Sequence, residues 1–174
     1  MATNLLIQEA IISQSWNMFI PPILTLLDDS NTPIRTRGLK ILSAFLPKFS
    51  QKLLSQTGLG PVFEDAIHPT LLFLPSITPV EESLLLLPAA YRALGVLCEV
   101  QFPNTDDAGR LRLLDRIIRH GILPGYLHSS QILVLVNVLV TELCTTVSRM
   151  GVHSVKHLKV YLTTTSVYFP LMNF

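Results

Sequence analysis

Few side chains in this sequence can do chemistry, and their spacing argues against catalysis. His153 and His157 stand four residues apart. On a helix they would share a face and offer two nitrogens to a metal. No acidic or cysteine third ligand is local, so solvated histidines beside Lys156 and Lys159 are the expected state. Glu81-Glu82 and Asp106-Asp107 are paired carboxylates of the kind that can divide acid and base work. Both pairs fall where a helix is expected to start, so capping and dipole compensation account for them better. The run Thr57-Gly-Leu-Gly60-Pro has the glycines of a phosphate loop but neither its lysine nor its preceding strand. The sequence has no Gly-x-Ser-x-Gly elbow and no His-Glu-x-x-His. The expectation is a non-enzyme without cofactor or metal.

Asp28 and Asp29, followed by Arg35 and Arg37, allow two readings. They can tie a turn through charge-assisted hydrogen bonds, or form a ridge that faces a partner. The intramolecular tie is the favoured one. Trp16 is the only tryptophan. It is expected to pack between the first helices rather than to stand exposed as an interface anchor.

The elements that position these residues follow from composition and periodicity. The chain has 174 residues, 49% of them hydrophobic and only 14% charged, with net charge +1. About 25% charged is usual. This rules out a disordered tail and a generic nucleic-acid binder, which needs a clustered basic surplus. Two cysteines, Cys98 and Cys144, are too few for a disulfide framework and are expected as buried thiols in a reducing compartment. The N-terminus shows no signal peptide. The most apolar run, Ile132 to Val140, is nine residues long, against the roughly 18 a membrane span needs.

Apolar residues recur at three- and four-residue spacing between proline-marked turns, which predicts an all-α chain. Pro21 and Pro22 are expected to open a first helix that stops at Asp28-Asp29-Ser30-Asn31. Thr32 then caps, and Pro33 starts, a second helix with Ile34, Gly38, Ile41, Leu42 and Phe45 inward. Gly38 on that stripe costs about 1 kcal/mol of helix propensity against Ala, which predicts a close helix–helix approach in compensation. Gly58 and Gly60 separate a short segment from a helix over about 61–74, and Pro75 marks the next turn. Thr78-Pro79-Val80-Glu81 reads as a capping box opening a helix to about Gln101. A helix over about 106–120 is closed by Gly121. After Pro124-Gly125, Ser129 caps a long helix ending at Gly151. A further helix over 155–162 completes the reading. Helical pairs thus repeat at roughly 40–50 residues, the signature of HEAT or armadillo hairpins stacked into an α-solenoid.

The runs Trp16 to Asp29, Arg35 to Leu39, Thr57 to Ala66, His68 to Pro75 and Thr78 to Ser83 resemble the Tel-two-interacting protein two family. Their combination of Pro-Pro-Ile-Leu-Thr-Leu-Leu-Asp-Asp (Pro22 at its second position) with Arg-Gly-Leu and Thr-Gly-Leu carries the resemblance, which covers about Trp16 to Gly151. The resemblance implies a HEAT-like scaffold subunit of the Triple T complex, bound to its sister subunits. It further implies indirect partners: the ninety-kilodalton heat-shock chaperone and the phosphatidylinositol-3-kinase-related kinases whose maturation that complex supports. Location in cytoplasm or nucleus, without nucleic acid or membrane, goes with it. The alternative reading is a HEAT or armadillo adaptor unrelated to that complex. The chain is short for the family and is read as one helical repeat domain, 1–174, of a longer solenoid. After Lys159 there is no charged side chain. The C-terminal stretch is therefore expected to be an apolar edge rather than a polar capping face.

Overall fold

The computed structural model describes residues 2–75 and 77–157, and the side chains from Ser15 onward. The apolar C-terminal stretch, and the part of the last expected helix beyond His157, lie outside these residues. Among the described residues there is helix and no strand: α1 (Ala2–Asp28), α2 (Thr32–Phe45), α3 (Gln51–Thr57), α4 (Leu59–Ile67), α5 (Val80–Gln101), α6 (Ala108–Ile117), α7 (Leu123–Ser129) and α8 (Leu133–Met150). Short 3-10 turns at Leu46–Lys48, His68–Leu72 and Gly151–His157 and a π turn at Ile118–Ile122 complete the order. Residues 133–140 of the β-branched run open α8, as its long period requires, with Ile132 as the residue before it.

α1 and α2 form an antiparallel hairpin. A Cβ on Gly38 would lie 2.8 Å from Leu26 Cβ and 3.0 Å from its carbonyl carbon. Phe19 stacks on Phe45 at 5.8 Å, the same number of residues back along α1 as forward along α2. The glycine therefore buys the close approach that its propensity cost predicts. α2 packs on α5, α4 on α1 and α5, and α8 on α5, α6 and α7. α1 and α2 have no extensive packing against α6, α7 or α8. Leu39, Leu42, Phe63, Leu87, Leu94, Leu97, Leu114 and Leu139 are buried in one continuous apolar core.

Side chains about fifty residues apart meet. Thr32 Oγ1 donates to Glu82, 50 residues on, and Gln51 to the Gln101 carbonyl, also 50 on. Arg116 reaches Glu64 and Asp65, 52 and 51 residues back. Arg149 pairs with Glu99, and Gly121 lies under Leu71, at the same separation.

Several boundaries differ from the expectation. α1 runs through Pro21 and Pro22 instead of starting there. Both prolines are exposed, as are Asn17 and Met18, whose carbonyls lose their amide partners and can be hydrated. The α2 cap is Asn31, whose Oδ1 accepts from Ile34 N at 3.2 Å, so Thr32 is the first helical residue. The inward stripe of α2 is also turned: Leu39 and Leu42 are buried while Ile41 is exposed, because α2 packs on both α1 and α5. Thr78 and Glu81 form no capping box; Pro79 is the cap, without a side-chain bond. Gly121 does not end a helix. The chain stays helical through Pro124 and Gly125 to Ser129, which closes α7 by donating to the Gly125 carbonyl. Pro124 is tolerated in a first turn, and the two glycines admit Leu71 and Leu139. Ile132, not Ser129, precedes α8.

By length and composition two segments, Val80–Gln101 and Leu133–His157, are apolar enough to cross a membrane. For α5 packing explains most of this: Leu86, Leu87, Ala90, Tyr91, Leu94 and Leu97 are buried against its neighbours α2, α4, α6 and α8, while Leu85 stays exposed.

Candidate functional site

The turn between α1 and α2 collects most of the residues singled out in the sequence. α1 ends at Asp28, whose side chain is exposed. Asp29 Oδ1 accepts from Asn31 N at 2.7 Å. Arg35, one turn into α2 and buried, donates from Nε to the main-chain carbonyl of Asp29 at 2.9 Å. Its guanidinium lies 4.4 Å over the ring of Phe73. One arginine thus closes its own turn and reaches the following unit. Burial lowers its pKa, opposed by the charges of Asp28 and Asp29. The Asp–Arg tie therefore runs through a carbonyl oxygen, while the carboxylate serves the turn. Arg37 points to solvent.

The remaining residues are distributed along the fold. Trp16 is half-buried against the core, and Pro22 is exposed on α1. Gly38 lies in the α1–α2 contact. Gly58, at φ 67°, joins α3 to α4 in a left-handed conformation that favours glycine. Pro75 lies in the turn after the 3-10 segment, and Pro79 precedes α5.

The expected histidine pair is separated. Residues 151–157 form a 3-10 turn, in which positions four apart do not share a face. His153 Nε2 lies 3.6 Å from Asp106 Oδ1, and His157 Nε2 lies 2.8 Å from Asp115 Oδ1. His157 is buried rather than solvated. Among the described residues no three His, Cys, Asp or Glu side chains group as a metal site. Asp107 caps α6, accepting from Gly109 N at 2.6 Å. Glu81 and Glu82 occupy the first turn of α5. Cys98 is buried and its thiol is pushed up to about 11 by burial, so it stays protonated at neutral pH. Cys144 is exposed, against expectation, because α8 buries the stripe Leu135, Leu139, Leu143 and Thr146 beside it.

Sequence reasoning missed the charged ties between the later units. Arg116 Nη1 donates to Glu64 Oε1 at 2.8 Å, and Arg149 Nη2 lies 3.0 Å from Glu99 Oε1. Asp115 holds Lys156 Nζ at 2.8 Å and Arg119 Nε at 3.0 Å. Burial alone would raise the Asp115 pKa, but Lys156 and Arg119 bring it below its ordinary value. His68, beside Glu64, is buried and its pKa falls to about 4, through burial first and then the charges of Arg116 and His120. Opposite charges separated by about fifty residues are a signal a sequence reader could have sought. These groups tie helices together.

A family model described as the Tti2 family matches residues 3–169. No curated protein and no solved structure matches the chain significantly.

Proposed function

The chain belongs to the Tti2 family, and from that premise we propose that it is a non-catalytic scaffold subunit of the Triple T complex, built as a HEAT-like α-solenoid. The observation that carries this reading is the fifty-residue stacking. Thr32 on Glu82, Gln51 on Gln101, Leu71 on Gly121 and Glu99 on Arg149 each join positions fifty residues apart, the spacing a HEAT-like repeat would have. A chain stacked in this way has a quasi-one-dimensional core and an extended surface for partners. The turn residues Asp29, Asn31 and Arg35 serve the stack, which favours the tie over the partner-facing ridge.

The partners on this reading are the sister subunits of the complex. Through them the chain supports the ninety-kilodalton heat-shock chaperone in maturing phosphatidylinositol-3-kinase-related kinases, in cytoplasm or nucleus. Affinity capture with the tagged chain tests it. The sister subunits should co-purify, and depletion of the chain should lower the abundance of those kinases. Capture of other proteins without the sister subunits would leave an adaptor outside the complex instead.

A further inference from the structure

α2 and α5 lie side by side and leave an open groove on one face, floored by Ala44, Leu84, Pro88 and Ala89. Leu85 at its edge is 58% exposed, and Ile41 on the adjoining turn of α2 is 39% exposed. Lys40 on α2 and Arg92 on α5 form its rims. Arg116 meets Glu64 and Asp65, Arg119 and Lys156 meet Asp115, and Arg149 meets Glu99. Other cations, among them Lys48, Arg110 and Arg112, are held by a ring or a main-chain carbonyl. What sets this groove apart is that its two cations flank an apolar floor. Lys40, Arg92 and the nearby Arg37 are exposed and have no carboxylate within ion-pair distance among the described residues. α2 carries no acidic residue at all. The carboxylates of α5 near this face, Glu81 and Glu82, stand in its first turn and outside the groove lining.

An apolar floor between unneutralised cations has a definite complement. We propose that the α2–α5 groove docks an acidic amphipathic helix of a partner protein, its leucine-type face on Leu84, Leu85 and Pro88 and its carboxylates on Lys40 and Arg92. The floor from Leu84 to Arg92 extends about 12 Å at the helical rise, which suits two to three turns of a partner helix. Pro88 contributes a second feature. It has no amide to offer the Leu84 carbonyl one turn back, so the floor keeps a main-chain acceptor as well as apolar area. The chain's own residues 158–174 contain no Asp or Glu and cannot supply these charges. The proposal does not depend on membership of any complex, since the groove is probed with the isolated full chain.

The test uses two designed helical peptides with leucine at every third and fourth position, one with glutamates along both flanks and the other with lysines there. Fluorescence anisotropy should show the glutamate peptide binding and the lysine peptide binding at least about tenfold more weakly. Raising salt from ~50 to ~500 mM should weaken the glutamate peptide, because rim charges are screened. The double variant Lys40→Glu/Arg92→Glu should reverse the preference. Lys40→Gln/Arg92→Gln should reduce the discrimination, with its melting temperature checking that the fold is intact. Equal binding of the two peptides, or binding of the glutamate peptide unaffected by either double variant, would overturn the proposal. So would a dimer in sedimentation that Leu85→Asp dissolves, which would place a second copy in the groove.

Discussion

The N-terminal hairpin, α1 with α2, and the C-terminal group, α6 to α8, join the middle of the molecule by different means. In the hairpin the limit is set by main chain and the atom fixed to it: a Cβ on Gly38 would lie 2.8–3.1 Å from Leu26 Cβ and its carbonyl carbon and oxygen. Its link onward uses a hydroxyl, Thr32 on Glu82, and an arginine face, Arg35 on Phe73. In the C-terminal group the limiting contacts are side-chain ends. The open side of Gly95 faces the Arg149 guanidinium, that of Gly121 faces Leu71 Cδ1, and ion pairs of Arg116 and Arg149 cross to α4 and α5. The lesson concerns relaxation. A contact against backbone yields only if a helix moves, whereas one against the tip of a long side chain yields by rotamer change.

The largest expected effect breaks the rigid side of that comparison. Gly38→Val should destabilise the chain by about 3 kcal/mol, through overpacking against Leu26. Gly95→Ala should stay within ~1 kcal/mol of the parent, because Arg149 can swing away while helix propensity improves. Urea unfolding of both variants checks this, and equal losses would remove the distinction between the two regions.

Next comes the junction between them. His68 keeps its proton off in the folded chain down to about pH 4, whereas the unfolded residue titrates near 6.5. A lowered folded pKa means stability that is complete above pH 6.5 and lost as pH falls toward 4. The loss should reach roughly 2–3 kcal/mol at the low end. Unfolding midpoints between pH 7 and 4 measure it. His68→Gln, with no proton to gain, should flatten that part of the profile; an unchanged slope would place the titration elsewhere.

A smaller effect sharpens the account of the first turn. Asp28→Ala/Asp29→Ala should lower stability by roughly 1–2 kcal/mol, from the lost bond to the Asn31 amide and the weaker field on Arg35. Asp28→Ala alone should cost little, since that side chain is exposed. If the double variant melted with the parent but no longer bound partners, the ridge reading would be restored.

The smallest effect belongs to the ion pairs of the C-terminal group. Arg116 is 43% exposed, so Arg116→Gln should cost less than ~1 kcal/mol even though it meets two carboxylates. The cost should shrink further in high salt. Melting curves at low and high ionic strength separate this from the salt-independent loss expected of Gly38→Val.

The helices themselves were readable because their signals are local. Leu84, Leu87, Ala90, Tyr91, Leu94, Leu97 and Cys98 recur at three and four on α5, and all are buried except Leu84, which is half-buried. Boundaries were less legible where one residue type serves two ends. Pro21 and Pro22 read as a start, yet their solvent-facing position lets α1 pass through them. Gly121 read as a stop, yet its missing side chain makes room for Leu71 while the helix continues. At the candidate site, Asp29 and Arg35 were visible as a pair, but the carbonyl that receives the guanidinium was not. Phe73 above that guanidinium could not be found from spacing, since it comes from the following unit.

The sequence alone reads as helical, broken at Asp28–Asn31 and near Gly58 and Pro75, poor in groups for catalysis, and similar to the Tti2 family. Periodicity, turn-forming residues and composition act within a few positions and need no fold to be read. Only the tertiary structure decided that positions about fifty apart stack and that Asp115 gathers Lys156, Arg119 and His157. Among the described residues it likewise left Lys40 and Arg92 without a carboxylate beside an apolar groove. Pairing across fifty residues depends on how helices pack in space, and electrostatic partnership follows distance through space rather than distance along the chain.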